Sequence, residues 1–157
     1  MIARARLLLV HDECSLRTRL NDSGYCTDVA ENGTGALSLL RTAPYDLVLL
    51  DFGTAPMSAA EFLERIRQIR PASELPVILL APLDDFARAP RIGAGPDDYI
   101  AKPVTFLVAL ARIQAQLEMA RAGRELQRAT ALFRLAGQVR TEAEESRATG
   151  ERCNIPW

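Results

Sequence analysis

Lysine is almost missing from this chain. Of its 19 basic residues only Lys102 is a lysine, and the rest are arginines. Histidine occurs once, at His11, and cysteine three times, at Cys14, Cys26 and Cys153. An odd number of cysteines without metal-ligand spacing argues against a disulfide framework or a zinc cage, and reads as reduced thiols of a cytosolic protein. There is no excess of one charge: the formal net charge is -1. A nucleic acid or an anionic membrane is therefore not the expected partner. No apolar run is long enough to span a bilayer. The start, MIARARLLLVHDE, has too short an apolar stretch for a signal peptide and ends in charge. A cytoplasmic protein is expected.

What is present is apolar and finely divided. Hydrophobic residues make up 48% of 157, enough for one ordinary domain and an extension. Short, nearly continuous apolar runs occur at 5–10, 46–50 and 76–81, the pattern of parallel strands covered on both faces. Residues 25–30 alternate and suit an edge strand; 97–101 are a weaker fifth candidate. Helical stretches lie between them, at 14–24 with a glycine stop, at 33–44, and at 58–70, where Phe62, Ile66 and Ile69 share a face. A fourth, at 83–94, contains Pro90 and should be short or broken. A last helix starts near Thr105. Five strand–helix repeats predict an α/β doubly wound parallel sheet.

Such sheets bind ligands outside the carboxyl ends of their strands. Here the first strand ends in His11, Asp12 and Glu13, the third in Asp51 and the fifth in Lys102. Carboxylates facing one compact ammonium suit a hard cation and an anionic group held together.

The stretches LLLVHDE, YDLVLLD, PVILLA and GPDDYIAKPV resemble, in order and spacing, the receiver domain of two-component response regulators, over roughly residues 5–118. The resemblance implies a flavodoxin-like sheet of five parallel strands, order 2-1-3-4-5, with five helices. It implies a phosphoryl group passed from a histidine kinase or phosphotransfer protein to Asp51. Magnesium would be held by Asp12, Asp51 and the Gly53 carbonyl, with His11 and Glu13 further out. Lys102, before a proline in a typically cis bond, matches the lysine that pairs with phosphoryl oxygens.

The departures from that pattern are specific. The acidic pair after the first strand has become His11-Asp12, which offers nitrogen to an oxygen-seeking ion and should weaken magnesium binding. The switch hydroxyl at the end of the fourth strand is Ala81, which cannot donate a hydrogen bond, although the switch aromatic, Tyr99, is retained. The Asp-Gly turn after the acceptor reads Ser58-Ala59, with Pro56 kept, and the segment from Ala81 to Tyr99 is about one residue short.

From Thr105 to about Ser146 there is no proline. Phe106, Leu110, Ile113 and Leu117 suit packing on the sheet, while Leu107 and Val108 are read as partner-facing. Beyond a receiver at 1–118, an extension at 119–157 carries an apolar stripe, from Leu126 through Phe133 to Val139, that needs a second copy or another protein to cover it. Arg124 and Gln127 interrupt the stripe, and Gly123 and Gly137 weaken the helix. No DNA-binding or catalytic motif follows. Three functions remain open: a phosphoacceptor receiver dimerising through its last helix, a degenerate receiver acting as a phosphate-independent docking module, and a flavodoxin-like enzyme. The third is disfavoured, because no glycine-rich phosphate loop follows the first strand.

Overall fold

The computed structural model describes residues 4–11, 15–51, 57–88 and 97–150, with the side chains of 86–88 and 149–150 set aside. The chain divides into two compact units, Met1–Arg121 and Ala122–Trp157.

In the first unit the three apolar runs form β1 (Arg6–Val10), β3 (Leu47–Asp51) and β4 (Val77–Pro82). Successive side chains of a strand point to opposite faces, so an unbroken apolar run needs cover on both. Leu8, Val10, Val48, Leu50, Val77 and Leu79 pack on one face with residues of α2 (Gly33–Thr42) and α3 (Ala59–Ile69). Their alternates Leu7, Leu9, Leu47, Leu49, Ile78 and Leu80 pack on the other with α1 (Leu16–Asp22) and α4 (Phe106–Gly150). β2 (Cys26–Ala30) and β5 (Asp98–Lys102) form the edges of an all-parallel sheet of order β2-β1-β3-β4-β5. This is the expected doubly wound topology.

Local chemistry sets the helix ends. The Ser58 Oγ accepts from the Glu61 N–H at 3.1 Å and the Asn32 Oδ1 from the Gly35 N–H at 2.8 Å, each satisfying one orphan donor of a first turn. After α1 the chain turns at Gly24, whose φ of 96° is open to glycine at no steric cost. Gly33 begins α2 where a Cβ would meet the Met57 Sδ at 3.1 Å and Phe62 at 3.3 Å, so its lack of a side chain lets α2 and α3 approach.

The stretch at 83–94, expected to be a short or broken helix, is a 3-10 helix over Leu83–Arg88; Pro90 and its neighbours lie outside the described residues. One expectation changes. In α4 the fully buried places belong to Ala109 and Ile113, with Phe106 and Leu117 partly buried beside them. Leu110 is only half-buried. The face pressed on the sheet runs 106, 109, 113, 117, and the small Ala109 is what lets the helix lie close. α4 is 45 residues long. No helix among the described residues is long and apolar enough to cross a membrane.

A polar knot fastens β1, β2 and the start of β3. The Arg6 guanidinium donates to the Asp28 Oδ2 at 2.9 Å and lies 4.9 Å over the Tyr45 ring, and the Tyr45 hydroxyl donates to the same Oδ2 at 2.8 Å. The Tyr45 bond holds the Asp28 carboxyl below its usual range, burial opposing it and Arg6 assisting. Burial, followed by the bond to Asp28, pushes the Tyr45 phenol up to about 12. Tyr45→Phe should cost about 1–2 kcal/mol in urea unfolding at neutral pH, the loss of one hydrogen bond to a charged group. The phenol's raised pKa is worth stability below pH 10, lost as pH rises through about 12. Tyr45→Phe should remove that alkaline decline. It should also flatten the acid decline, since Asp28 loses its stabilising effect as pH falls below 3.8 and on through its depressed value.

Candidate functional site

β3 is buried along its whole length and ends in Asp51, whose carboxylate is almost completely enclosed, at 2% exposure. An unpaired carboxylate there would carry a desolvation cost of several kcal/mol. The Lys102 ammonium, from the end of β5, donates to the Asp51 Oδ1. The two strands are not neighbours. Asp51 lies opposite Leu80 and Lys102 opposite Pro82, so the lysine stem reaches past the end of β4. A flexible four-carbon stem with a compact charge suits that path. The Lys102–Pro103 peptide is cis.

β5 is an edge strand, and two carboxylates fix its start. The Asp97 Oδ2 accepts from the Val77 N–H at 2.8 Å and from Arg67 of α3 at 2.8 Å. The Asp98 Oδ1 accepts from the Tyr99 N–H at 2.8 Å and from Arg112 of α4 at 2.7 Å. In the sequence Asp97 and Asp98 belong to the fifth-strand candidate and the GPDDYIAKPV stretch, and nothing local marks the arginines that they meet across the fold.

β1 ends at the same edge. His11 adds one rung beyond the strand, its N–H donating to the Ala30 carbonyl at 2.8 Å, and its φ is 64°. Ser15, which begins α1, has φ 51° and makes no side-chain cap. Left-handed backbone at two residues with a Cβ carries strain of about 1 kcal/mol or more each. It occurs on both flanks of the acidic segment. Asp12, Glu13 and Gly53, the other predicted metal-site residues, lie outside the described residues, as does Pro56. Among the described residues no three His, Cys, Asp or Glu side chains form a metal cluster.

Ala81 is fully buried one residue before the end of β4. Tyr99 is half-buried against the α2–α3 face of the core, opposite Leu79 in register. The structure thus brings Asp51 and Lys102 together, with His11 and Ala81 on the same sheet edge, and sets Tyr99 three residues before Lys102 in β5.

A buried carboxylate and an ammonium meet at the carboxyl edge of a five-stranded flavodoxin-like sheet. The response regulator receiver domain matches residues 9–114, and the chain belongs to that family. The transcriptional activator protein IrlR of Burkholderia pseudomallei is 34% identical over 122 residues, covering 74% of this chain and 52% of that protein. The transcriptional regulatory protein DltR of Streptococcus agalactiae is 38% identical over 114 residues, covering 69% and 50%. The chain thus spans about half the length of the curated relatives it matches. A CheY-like receiver domain protein from Methanospirillum hungatei superposes with TM-score 0.66 at 25% identity, covering 76% of this chain and 98% of that one. The receiver domain of an HD domain-containing protein from Pseudomonas fluorescens has TM-score 0.66 at 28% identity, covering 80% and 95%.

The pairing makes a direct prediction. Lys102→Met should lower stability by about 3 kcal/mol, because it strands a buried carboxylate. Asp51→Asn combined with Lys102→Met should cost less than the two single changes summed, by at least about 1 kcal/mol. Urea unfolding of the four proteins measures this, and additive costs would contradict the coupling.

Proposed function

We propose that the chain is a phosphoacceptor receiver of a His-Asp phosphorelay, with Asp51 as acceptor and a histidine kinase or phosphotransfer protein as donor. The observation that carries the reading is the Lys102 ammonium held on a buried Asp51 at the sheet's carboxyl edge. An Asp51 carboxylate oxygen attacks the phosphorus of a phosphohistidine. The new O–P bond forms as the P–N bond breaks, and the imidazole leaves with the electron pair. Lys102 exchanges its contact with Asp51 for one with the incoming phosphoryl oxygens, supplying positive charge where negative charge accumulates.

The donor chemistry suits magnesium. Asp51 would offer a carboxylate oxygen at the strand end, and Asp12 and the Gly53 carbonyl would complete the protein's share of the oxygen set, with Glu13 further out. When bound, magnesium neutralises charge on the phosphoryl oxygens. His11 brings a nitrogen in place of one carboxylate, so affinity for the ion is reduced.

The output is protein–protein contact in the cytoplasm, by a homodimer joined through α4, with no role for nucleic acid or membrane in this chain. A second reading, a docking module indifferent to phosphate, is favoured by one observation: Ala81 is fully buried where a switch hydroxyl would stand, so the route from Asp51 to Tyr99 lacks its hydrogen bond.

Intact-mass measurement after incubation with acetyl phosphate and magnesium separates the two. Gain of one phosphoryl group, lost in Asp51→Asn, supports the acceptor, and no gain supports the docking module. His11→Asp should raise magnesium affinity by about tenfold, the effect of one added carboxylate worth about 1.4 kcal/mol. Equal affinity would remove the reading of His11 as a replaced acidic ligand.

A further inference from the structure

The second unit presents large apolar side chains to solvent: Leu126, Leu132, Phe133 and Val139 are 69%, 67%, 83% and 65% exposed. Counted simply as apolar residues they form a ragged stripe. Counted in sevens, Leu126 and Phe133 fall on a seam. Leu126, Phe133, Arg140 and Arg147 recur seven apart. Ala122, Ala129, Ala136 and Ala143 recur seven apart, three residues out of step with the first series. These are the a and d positions of a heptad repeat. Arg124, Gln127 and Leu135 fall outside the seam. Leu132 and Val139 flank it on one side, and Gly123, Thr130 and Gly137 on the other.

Size and charge decide how two such seams meet. Parallel pairing sets every position on its own copy: Phe133 on Phe133, alanine on alanine, and Arg140 and Arg147 each against an identical charge. That gives alternating thick and hollow layers and repulsion across the interface. Antiparallel pairing, centred between Phe133 and Ala136, sets Phe133 over the partner's Ala136, Leu126 over the partner's Ala143 and Arg140 over the partner's Ala129. Each large side chain meets a small one. The arginines separate, and Arg140 comes within one helical turn of the partner's Glu125. Leu132 meets the partner's Val139, while the Gly-Thr-Gly flank lets the backbones approach.

We propose that this segment of α4 pairs with the same segment of a second copy as an antiparallel coiled coil in that register. The proposal rests on the dimer reading above and assigns its orientation. The test uses the full-length chain with Cys14, Cys26 and Cys153 changed to serine, carrying either Leu126→Cys or Ala143→Cys. The two proteins are mixed under reducing conditions and then oxidised. Disulfides joining the two different chains should exceed those joining identical chains by about tenfold, because only opposed positions meet disulfide geometry. A predominance of identical-chain disulfides would overturn the antiparallel orientation and leave the dimer standing. A dimer that forms neither would overturn the register. A chain that sediments as a monomer at about 50 µM would overturn the dimer and this proposal together.

Discussion

A carboxylate cannot be buried at the end of a central strand without a counter-charge, and Asp51 has Lys102. Much of the first unit serves that pairing. β3 must lie in the middle of the sheet to bury its last residue. β5 must be held at the edge, in register, for its own last residue to reach across β4. The Asp97–Arg67 and Asp98–Arg112 pairs, at 2.8 and 2.7 Å, do the holding from α3 and α4. An arginine at 102 would carry the same charge, but on a broad rigid fork in place of a compact ammonium on a flexible stem that can reach across the end of β4. That gives a physical reason for a lysine at this position in a chain that otherwise uses arginine.

The fold was legible because its apolar runs are short and unbroken. Leu7 to Val10 and Leu47 to Leu50 alternate between two cores, and a run that serves both faces leaves no polar gaps. The helices announced themselves through Ser58, Gly24 and the Phe62–Ile66 spacing. Less legible was what depends on three-dimensional neighbours. Ala109, rather than Leu110, is the residue pressed on the sheet, because the helix approaches closely only where the side chain is small. The Arg6–Asp28–Tyr45 knot joins residues far apart in sequence, and no local pattern marks it.

The site was legible in part, and for a different reason. Residue type and strand-end position together singled out Asp51 and Lys102. Position alone singled out His11 and Ala81, whose side chains break the pattern around them. The left-handed backbone at His11 and Ser15 had no sequence signal, since neither is a glycine. The seven-residue spacing in α4 was hidden by its composition. Alanine at four of its places and arginine at two others do not read as a hydrophobic repeat until the spacing is counted separately from the hydrophobicity.

The proposed function requires Lys102 to sense a phosphoryl group on Asp51, and the composition of the chain makes this directly measurable. A protein labelled with nitrogen-15 at lysine Nζ carries one such label, at Lys102. Its NMR signal, followed during addition of beryllium fluoride and magnesium as a phosphoryl mimic, should move to a new position in the wild-type chain and stay in place in Asp51→Asn. A signal that is unmoved in the wild type, or that moves equally in both, would contradict the pairing of acceptor and ammonium on which the proposed function stands.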